Sequence, residues 1–380
     1  MRERVTRKER IEAAIRPELL DRVPVAPLLL YFCAHFNGIS TRDFLNDPEK
    51  QVWATERTFE QLGGWDAWCL AAGAFSPNML KTRWPLQVKL PGDGLPDDAS
   101  LPQLNEQPVM RVEDYDRIPE MGYDEWFASY LCRLYPGFEP KAVLAEEAPR
   151  AANRIKAFCQ RWETERNVSV LQGVSIYQPM EVFSFARSFY EFSLDMARHP
   201  DKITAAIQAG YEPVVRRGIN ACKASGLRAA WVGGWRTGAT FISPRQYQRF
   251  VQPWLKRMCN DLIADGITPV LHFDAKWDPF LSFLRELPAR KCILAVDQET
   301  DLFKAKAVLG DHMCLMGNVA PQTLALGTVD ETVAECKALI DVVGKGGGFI
   351  LSSGCETPYN AKAENVAAMI EIAKTYTSKR

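Results

Sequence analysis

Short apolar runs recur along the chain, and most of them lack the alternation expected of a half-exposed strand. Eight such runs end at polar or glycine-containing segments, as strands buried on both faces of a parallel sheet do. They are residues 23–32, 65–71, 168–176, 228–234, 267–273, 292–296, 312–318 and 347–353. The pattern predicts eight buried parallel strands.

Helical patterns of apolar residues lie between the later strands. In residues 201–225, apolar side chains recur at spacings of three and four, beginning with Ile203, Ile207 and Tyr211. The segment 328–331 has the spacing of a capping box, and the glycine-rich segment 344–348 ends the helix that follows it. Strand and helix therefore alternate, which is typical of βα units.

This alternation over most of 380 residues favours an α/β fold, and within that class a closed (β/α)8 barrel in a single domain covering residues 1–380. An open doubly wound sheet is the alternative, but no GxGxxG turn follows the first run. Residues 72–166 are rich in Pro and Trp and poorly periodic. We expect them to form a long insertion after the second strand and part of a lid.

Composition and charge narrow the class of protein. Hydrophobic residues make up 47% of the chain, and 46 Lys and Arg nearly balance 47 Asp and Glu. A soluble globular protein without affinity for nucleic acid or a membrane surface is expected. The charged start MRERVTRKERIEAAI lacks the apolar core of a secretory signal, so we expect a cytoplasmic location. The ten cysteines form no CxxC and are interpreted mainly as reduced thiols.

One group of metal-ligand residue types lies at predicted strand ends, where barrels carry their catalytic residues. His272 and Asp274 end the fifth run, and positions i and i+2 of a strand point to the same face about 7 Å apart. Cys355 follows the eighth run. Three such ligands with a fourth position open are the pattern of a catalytic zinc site. The alternative is a hydrogen-bonded core histidine with a carboxylate neighbour.

Weaker candidates for substrate binding follow other predicted strands. They are Tyr31, His35, Trp235, Arg236, Asp297 and Asn318. Each is expected to face the barrel mouth, and each has a structural alternative, either capping a loop or, for the aromatic residues, packing in the core.

Five stretches together resemble the uroporphyrinogen decarboxylase superfamily. They are TRKERIEAAI, DRVPVAP, FISPRQYQRFVQPWLKRM, MGNVAPQTLALGT and GGGFILSSGCETPYNAKAENVAAMI. The porphyrinogen decarboxylases of that superfamily carry an arginine-rich N-terminal loop that binds the carboxylates of their substrate. The corresponding stretch here, LLLYFCAHFNG, contains no arginine. A tetrapyrrole with many acidic side chains would find little to bind there.

The chain is more similar to another branch, the cobamide-dependent methyltransferases, including methylcobamide:coenzyme M methyltransferases and related demethylating enzymes. These use zinc held by an H-x-C pair and by a later Cys in a GC segment. The resemblance matches His272 to the first ligand and Cys355 to the last, with Asp274 in place of the middle Cys. A carboxylate binds zinc at nearly the same distance as an imidazole and keeps the formal charge of a thiolate, although it donates electrons less strongly.

The resemblance implies a zinc-dependent methyltransferase that exchanges a methyl group with the cobalt of a corrinoid. No D-x-H-x-x-G motif of a cobamide-binding module occurs, so the corrinoid is expected on a partner protein. Two directions stay open, methyl transfer from cobalt to a thiol and O-demethylation of a methoxylated compound by reduced cobalt.

Two other functions remain as alternatives. One is a metal-independent decarboxylating lyase, in which Asp274 or Asp297 would stabilise a cationic intermediate. The other is a non-catalytic barrel that binds a corrinoid or tetrapyrrole. Homodimerisation is also compatible with such a barrel, but no residue pattern marks an interface.

Overall fold

The computed structural model describes residues 5–377 of the chain. Its strands are β1 (Ala67–Trp68), β2 (Gln87–Pro91), β3 (Gly94–Leu95), β4 (Gln103–Asn105), β5 (Ser169–Val170), β6 (Ser175–Tyr177), β7 (Ala229–Gly234), β8 (Thr268–Phe273), β9 (Ile293–Val296), β10 (Cys314–Val319) and β11 (Phe349–Ser353).

Seventeen α-helices surround or connect these strands in the described part of the chain. They are α1 (Arg7–Ile15), α2 (Tyr31–Phe36), α3 (Thr41–Asn46), α4 (Pro48–Gln61), α5 (Pro77–Arg83), α6 (Asp114–Met121), α7 (Tyr123–Leu134), α8 (Pro140–Cys159), α9 (Pro179–Arg187), α10 (Phe189–Arg198), α11 (Pro200–Ser225), α12 (Pro244–Phe250), α13 (Gln252–Ala264), α14 (Leu302–Leu309), α15 (Pro321–Leu326), α16 (Val329–Val342) and α17 (Ala363–Thr375). A π-helix covers Gln160–Glu165 and a 3₁₀ helix covers Asp278–Glu286. Within residues 5–377, no helix is long and apolar enough to cross a membrane.

The largest sheet contains β6 to β11, all parallel and neighbours in sequence order. Helical segments lie between each consecutive pair, so the second half of the chain is a series of βα units. The strands are almost completely buried, as their unbroken apolar sequences predict. The predicted α/β class with parallel strands is confirmed.

The other strands form two smaller sheets. β1 pairs with β5 in parallel, and β2, β3 and β4 form a three-stranded sheet. Val25 forms an isolated parallel bridge with Leu351 of β11, and the Asp66 backbone N–H donates to the Val25 carbonyl at 2.8 Å. These contacts link the edges of the parallel sheets. The described strands nevertheless belong to separate sheets, so the closed eight-stranded barrel stays a prediction.

Two of the predicted strands depart most from the observed structure, and run 65–71 also shortens to the two residues of β1. In run 23–32 only Val25 pairs with another strand, and α2 begins at Tyr31, where Phe32 and Phe36 stack at helical spacing with ring centroids 5.4 Å apart. Run 168–176 divides into β5 and β6 around Gly173, which packs so closely that a Cβ would lie 2.8 Å from Leu227 Cδ1. The strand predictions were therefore too long in both places.

The predicted helix signals are confirmed. α11 covers the amphipathic segment and ends at Gly226, whose φ of 73° is left-handed. Thr328 and Glu331 form a reciprocal capping box at the start of α16. Local sequence therefore determines these helix ends, as capping chemistry predicts.

Residues 72–166 contain more regular structure than their weak periodicity predicts. They hold α5 to α8, the whole π-helix and the sheet of β2, β3 and β4. Arg236, which follows β7, donates to the Glu106 carboxylate at 2.5 Å and so fixes this segment against the parallel sheet. The role of the segment as a lid stays a prediction.

A buried ionic cluster joins the N-terminal helix to the strands. The Asp66 side chain is fully buried and accepts from Arg10 at 3.0 Å, from Arg22 at 2.7 and 2.8 Å and from the Val25 backbone N–H at 2.9 Å. These hydrogen bonds and ion pairs offset the free-energy cost of removing the Asp66 carboxylate from water. It positions the start of the extended segment beside β1.

Candidate metal centre

His272 lies in β8 between two small neighbours. In the parallel register it is opposite Gly233 of β7 and Ala295 of β9, and it is 5% exposed. The indole of Trp231 stacks on its imidazole with ring centroids 5.5 Å apart. The ring is therefore fixed at the carboxyl end of the strand.

Asp274 follows β8 in a loop that several hydrogen bonds hold. The Ala275 backbone is left-handed, with φ of 69°, and its N–H donates to Asp297 Oδ2 at 2.8 Å. The Thr300 hydroxyl donates to the Ala275 carbonyl at 2.9 Å, and the Trp277 indole N–H donates to the Asp274 carbonyl at 3.0 Å. This network turns the chain so that the Asp274 carboxylate meets His272.

Cys355 reaches the same place from β11. Its Sγ lies 3.7 Å from His272 Nε2, while Asp274 Oδ1 lies 3.3 Å from that nitrogen. One ligand atom from each of the three residues lies within 4.8 Å of the others. β8 and β11 are three strands apart and would be about 14 Å apart in a flat sheet. The sheet must therefore curve strongly to bring them together.

The donor set fits a zinc ion. Bond lengths of about 2.05 Å to N, 2.1 Å to O and 2.3 Å to S at tetrahedral angles place N and O about 3.4 Å apart and N and S about 3.6 Å apart. The corresponding distances here are 3.3 and 3.7 Å. Imidazole, carboxylate and thiolate are all zinc ligands, and three of them leave a fourth position for substrate. Two of the three separations therefore match a tetrahedral zinc site, and the third, between Asp274 and Cys355, is within 4.8 Å.

The electrostatics of the three groups are coupled. Burial lowers the pKa of His272, but the adjacent Asp274 carboxylate and the Cys355 side chain together outweigh it and hold that pKa well above its usual value. Burial raises the pKa of Asp274, but His272 and Cys355 together more than reverse this, so the net shift is downward. Burial raises the pKa of the Cys355 thiol, against the opposing hydrogen bond to His272. The negative charge of the Asp274 carboxylate beside the His272 imidazole makes this an environment that favours the binding of a cation.

A cavity of about 310 Å³ opens beside these residues and has mainly apolar walls. His272, Asp274 and Cys355 line it. Its aromatic walls come from Tyr31, Trp84, Tyr177, Phe185, Trp231 and Trp235, and its polar lining includes Arg83, Gln172, Glu181 and Glu356. The volume lies at the small end of the range of small-molecule sites. The cavity suits a compact substrate with a flat or apolar body.

Of the substrate-binding residues predicted from sequence, Tyr31 and Trp235 line this cavity. His35 does not, because it hydrogen-bonds to the Thr41 hydroxyl at 2.9 Å and contacts the Tyr359 ring. Arg236 is buried and binds Glu106 and the Ser184 carbonyl. His35 and Arg236 therefore make structural contacts outside the cavity.

Asp297 and Asn318 also hold loops and do not line the cavity. Asp297 accepts from the backbone N–H groups of Ala275 and Glu299, and burial raises its pKa to about 6. Asn318 donates to the carbonyls of Asp297 at 3.0 Å and Thr300 at 3.1 Å. Their contacts position the loop that carries Asp274.

Sequence reasoning missed four polar residues of the cavity, Arg83, Gln172, Glu181 and Glu356. Burial raises the pKa of Glu356 to about 7, more than the hydrogen bond from the Tyr31 backbone N–H lowers it. Burial also raises the pKa of Glu181, whose Oε1 accepts from two backbone N–H groups. Glu356 could have been found as the neighbour of Cys355. Arg83 and Glu181 lie on helices that carry no motif for a site.

Comparison with known proteins gives a family match over more than half of the chain. The family model described as uroporphyrinogen decarboxylase (URO-D) matches residues 152–376. A uroporphyrinogen decarboxylase of Geobacter metallireducens is 28% identical over 138 residues, 36% of this chain and 39% of that protein. One of Syntrophotalea carbinolica is 26% identical over 191 residues, 50% of this chain and 52% of that protein. The chain thus spans only two fifths to about half the length of these relatives.

Among solved structures, a methyltransferase from Methanosarcina mazei has a similar fold. The comparison covers 98% of this chain and 99% of that chain, with a TM-score of 0.71 and 20% sequence identity. At this identity the likeness establishes the fold alone. It extends over residues 72–166 as well as over the parallel sheet.

Proposed function

The chain belongs to the uroporphyrinogen decarboxylase family, and on this premise we propose that it is a corrinoid-dependent methyltransferase. His272, Asp274 and Cys355 would hold a zinc ion. A methyl group would move between a small thiol or methoxylated compound and the cobalt of a corrinoid that a separate protein carries. The fold shared with the Methanosarcina mazei methyltransferase supports this branch of the family.

The observation that carries the proposal is the meeting of three ligand types at zinc-like spacing. His272 Nε2 lies 3.3 Å from Asp274 Oδ1 and 3.7 Å from Cys355 Sγ, at the edge of an apolar cavity. A structural zinc site would use four protein ligands, whereas these three leave a position that faces the cavity. The donor set therefore suits catalysis.

The residues around the centre have separable roles. A zinc ion, when bound, supplies a Lewis acid that lowers the pKa of a thiol or polarises an ether oxygen. Trp231 keeps the His272 ring in orientation, and Asp297 fixes the loop that carries Asp274. The aromatic walls bind the body of the substrate and exclude water from the reacting atoms.

The size and charge of the cavity favour this function over decarboxylation of a porphyrinogen. About 310 Å³ lies at the small end of the range of small-molecule sites, and Arg83 is the one Arg or Lys side chain that lines the cavity in the described part of the chain. The acidic side chains of a porphyrinogen would need several cationic partners. The stretch 28–38, part of which forms α2, supplies none.

The volume of the cavity also determines how a corrinoid could approach the site. We infer that the macrocycle approaches the cavity opening on its carrier and that only the methyl-bearing atom enters. The strong curvature of the sheet supports closure into a (β/α)8 barrel, which places the cavity at the carboxyl ends of the strands. Residues 72–166 would then act as the lid around the opening.

Metal content and half-reactions test the proposal together. Zinc per chain is measured by elemental analysis in the wild type, in His272→Ala and in Cys355→Ser, with His199→Ala and Cys132→Ser as controls outside the site. We expect about one zinc in the wild type and in both controls, and a large loss in the site variants. The zinc-loaded chain is then given methylcobalamin with a thiol, or Co(I) cobalamin with an aryl methyl ether.

Methyl transfer in either assay, abolished in both site variants, is the expected result. Failure of both half-reactions with zinc-loaded wild type would count against the methyltransferase. Zinc content that is unchanged in the site variants would count against the metal centre itself. Tight corrinoid binding without turnover would instead favour a carrier role.

A further inference from the structure

A second cavity lies between residues 72–166 and the parallel sheet. Its volume is about 250 Å³, and it is lined on one side by α5, α7 and α8 and on the other by β6 and α11. Small-molecule sites often lie where two parts of a fold meet. We propose that this cavity is a second binding site, which takes an uncharged aromatic molecule of about one ring. The inference goes beyond the proposed function, because it does not depend on the metal ligands.

Small residues on two facing helices create the space. Ala148, Ala151 and Ala152 lie on one face of α8 at spacings of three and four, and they line the cavity. Ala221 and Ser225 of α11, which packs against α8, line it from the other side and are also four residues apart. Protein interiors are normally filled by larger side chains. The cavity therefore follows from the sequences of both helices.

The walls of this second cavity suit a flat apolar molecule. Four aromatic side chains line it, from Phe75, Tyr123, Phe127 and Tyr177. Two hydroxyl groups of the wall are already engaged, since Ser225 donates to the Ala221 carbonyl at 2.7 Å and Thr82 to the Met79 carbonyl at 3.0 Å. An apolar cavity of about 150 Å³ is large enough to bind benzene. About 250 Å³ therefore accommodates a substituted ring.

The charges on the wall favour an uncharged ligand. In the described part of the chain, no carboxylate lines this cavity, and its two cationic side chains are Arg83 and Arg217. Arg217 pairs with the Asp124 carboxylate. Arg83 donates to the Ser175 hydroxyl, and its guanidinium carbon lies 5.2 Å from the centroid of the Phe75 ring. A charged ligand would lose its hydration without gaining a free partner of opposite sign.

The second cavity is separate from the cavity beside the metal ligands, although the two share part of a wall. Four residues line both, namely Phe75, Leu80, Arg83 and Tyr177. Ala148 and Ala152 line only the second cavity. Arg217 also lines only the second cavity and is 45% exposed, so this cavity reaches the surface there. Substitutions at the two alanines therefore change the second cavity without replacing a residue of the first.

The number of bound probe molecules tests the assignment. The full chain is titrated with toluene, with benzoate and with benzylammonium, and calorimetry measures the affinity and the number bound per chain. The double variant Ala148→Leu/Ala152→Leu fills the second cavity. Ala145→Leu is the matched control, because Ala145 is an exposed residue of the same helix and does not line the cavity.

We expect wild type and Ala145→Leu to bind one toluene per chain more than the double variant, with a Kd of about 0.1–1 mM at that site. Benzoate and benzylammonium should bind in equal number to all three proteins. Circular dichroism and Tm verify that the variants are folded. Crystals of wild type soaked with iodobenzene locate the site independently of any variant, and we expect the iodine between α8 and α11.

Three results would overturn the assignment. One is an equal number of toluene molecules bound by wild type and by the folded double variant. Another is a charged probe that occupies the site as tightly as toluene, which would refute the ligand class. The third is iodobenzene found only outside the second cavity, and this result decides the matter if the double variant does not fold.

Discussion

Replacing Asp274 tests whether this carboxylate is a metal ligand. Asp274→Ala removes one of three donors, while Asp274→Cys puts a thiolate in the position that carries Cys in the methyltransferases that the chain resembles. Asp274 Oδ1 lies 3.3 Å from His272 Nε2. A Cys side chain is one bond shorter, but the Zn–S bond is longer than the Zn–O bond by about 0.2 Å. The longer Zn–S bond offsets only part of this difference, but the methyltransferases that the chain resembles bind zinc through a Cys at this position, so we expect the substituted thiolate to reach the ion.

The expected loss follows from the number of ligands. Four-ligand zinc sites bind with about 10–16 kcal/mol, or about 2.5–4 kcal/mol per ligand. Asp274→Ala should thus weaken zinc binding by about 100- to 1000-fold. Removing the carboxylate should also lower the pKa of His272. Protons then compete less with zinc for the imidazole, so the loss of zinc affinity should lie nearer the ~100-fold end of this range. Asp274→Cys should bind zinc at least as tightly as wild type.

Competition with a chromophoric chelator measures these affinities, and cobalt substitution counts the thiolates. The sulfur-to-cobalt charge-transfer absorption should double in Asp274→Cys and stay unchanged per cobalt in Asp274→Ala. Asp201→Ala is the control, because that side chain is 97% exposed and lies far from Asp274 in the sequence. Wild-type zinc affinity in Asp274→Ala would show that Asp274 is a neighbour of the site and not a metal ligand.

Three further changes test the surroundings of the site. Asp66→Ala should cost about 3–5 kcal/mol of unfolding free energy in a urea titration, because Arg10 and Arg22 lose a fully buried partner; a cost below 1 kcal/mol would contradict this. Glu106→Ala should lower Tm and cost about 2 kcal/mol, since it removes the carboxylate that binds the buried Arg236, and an unchanged Tm would argue against that contact. Burial raises the pKa of Asp297 to about 6. Protonated Asp297 therefore contributes stability that is full below about pH 4 and is lost as the pH rises through about 6. Metal-free wild type should lose stability relative to Asp297→Asn between about pH 4.5 and about pH 7.5, and a constant difference in urea titrations would exclude this titration.

The features that sequence alone predicted depend on local patterns. Unbroken apolar runs identified β7 to β11 because these strands are buried on both faces. The alternation of side chains in a strand placed His272 and Asp274 on one face, and the rule that barrel sites use strand ends brought in Cys355 from 81 positions beyond Asp274. The resemblance to the uroporphyrinogen decarboxylase superfamily is confirmed by the family match.

The features that sequence missed depend on contacts between distant segments. Arg236 resembles a substrate-binding residue in sequence, but Glu106, 130 residues away, pairs with it. Arg83 resembles an ordinary helix terminus in sequence, and only the fold shows that it lines the cavity beside His272, Asp274 and Cys355. Tyr31 begins a helix in which Phe32 and Phe36 stack. An apolar run in the sequence does not distinguish such a buried helix from a strand.

X-ray absorption at the zinc edge of the purified wild-type chain would show directly whether His272, Asp274 and Cys355 bind zinc. We expect about one zinc per chain with one sulfur neighbour at about 2.3 Å and the other neighbours, nitrogen or oxygen, at about 2.0–2.2 Å. That sulfur should disappear in Cys355→Ser. A shell without sulfur in the wild type, or no zinc at all after supplementation, would contradict the metal centre.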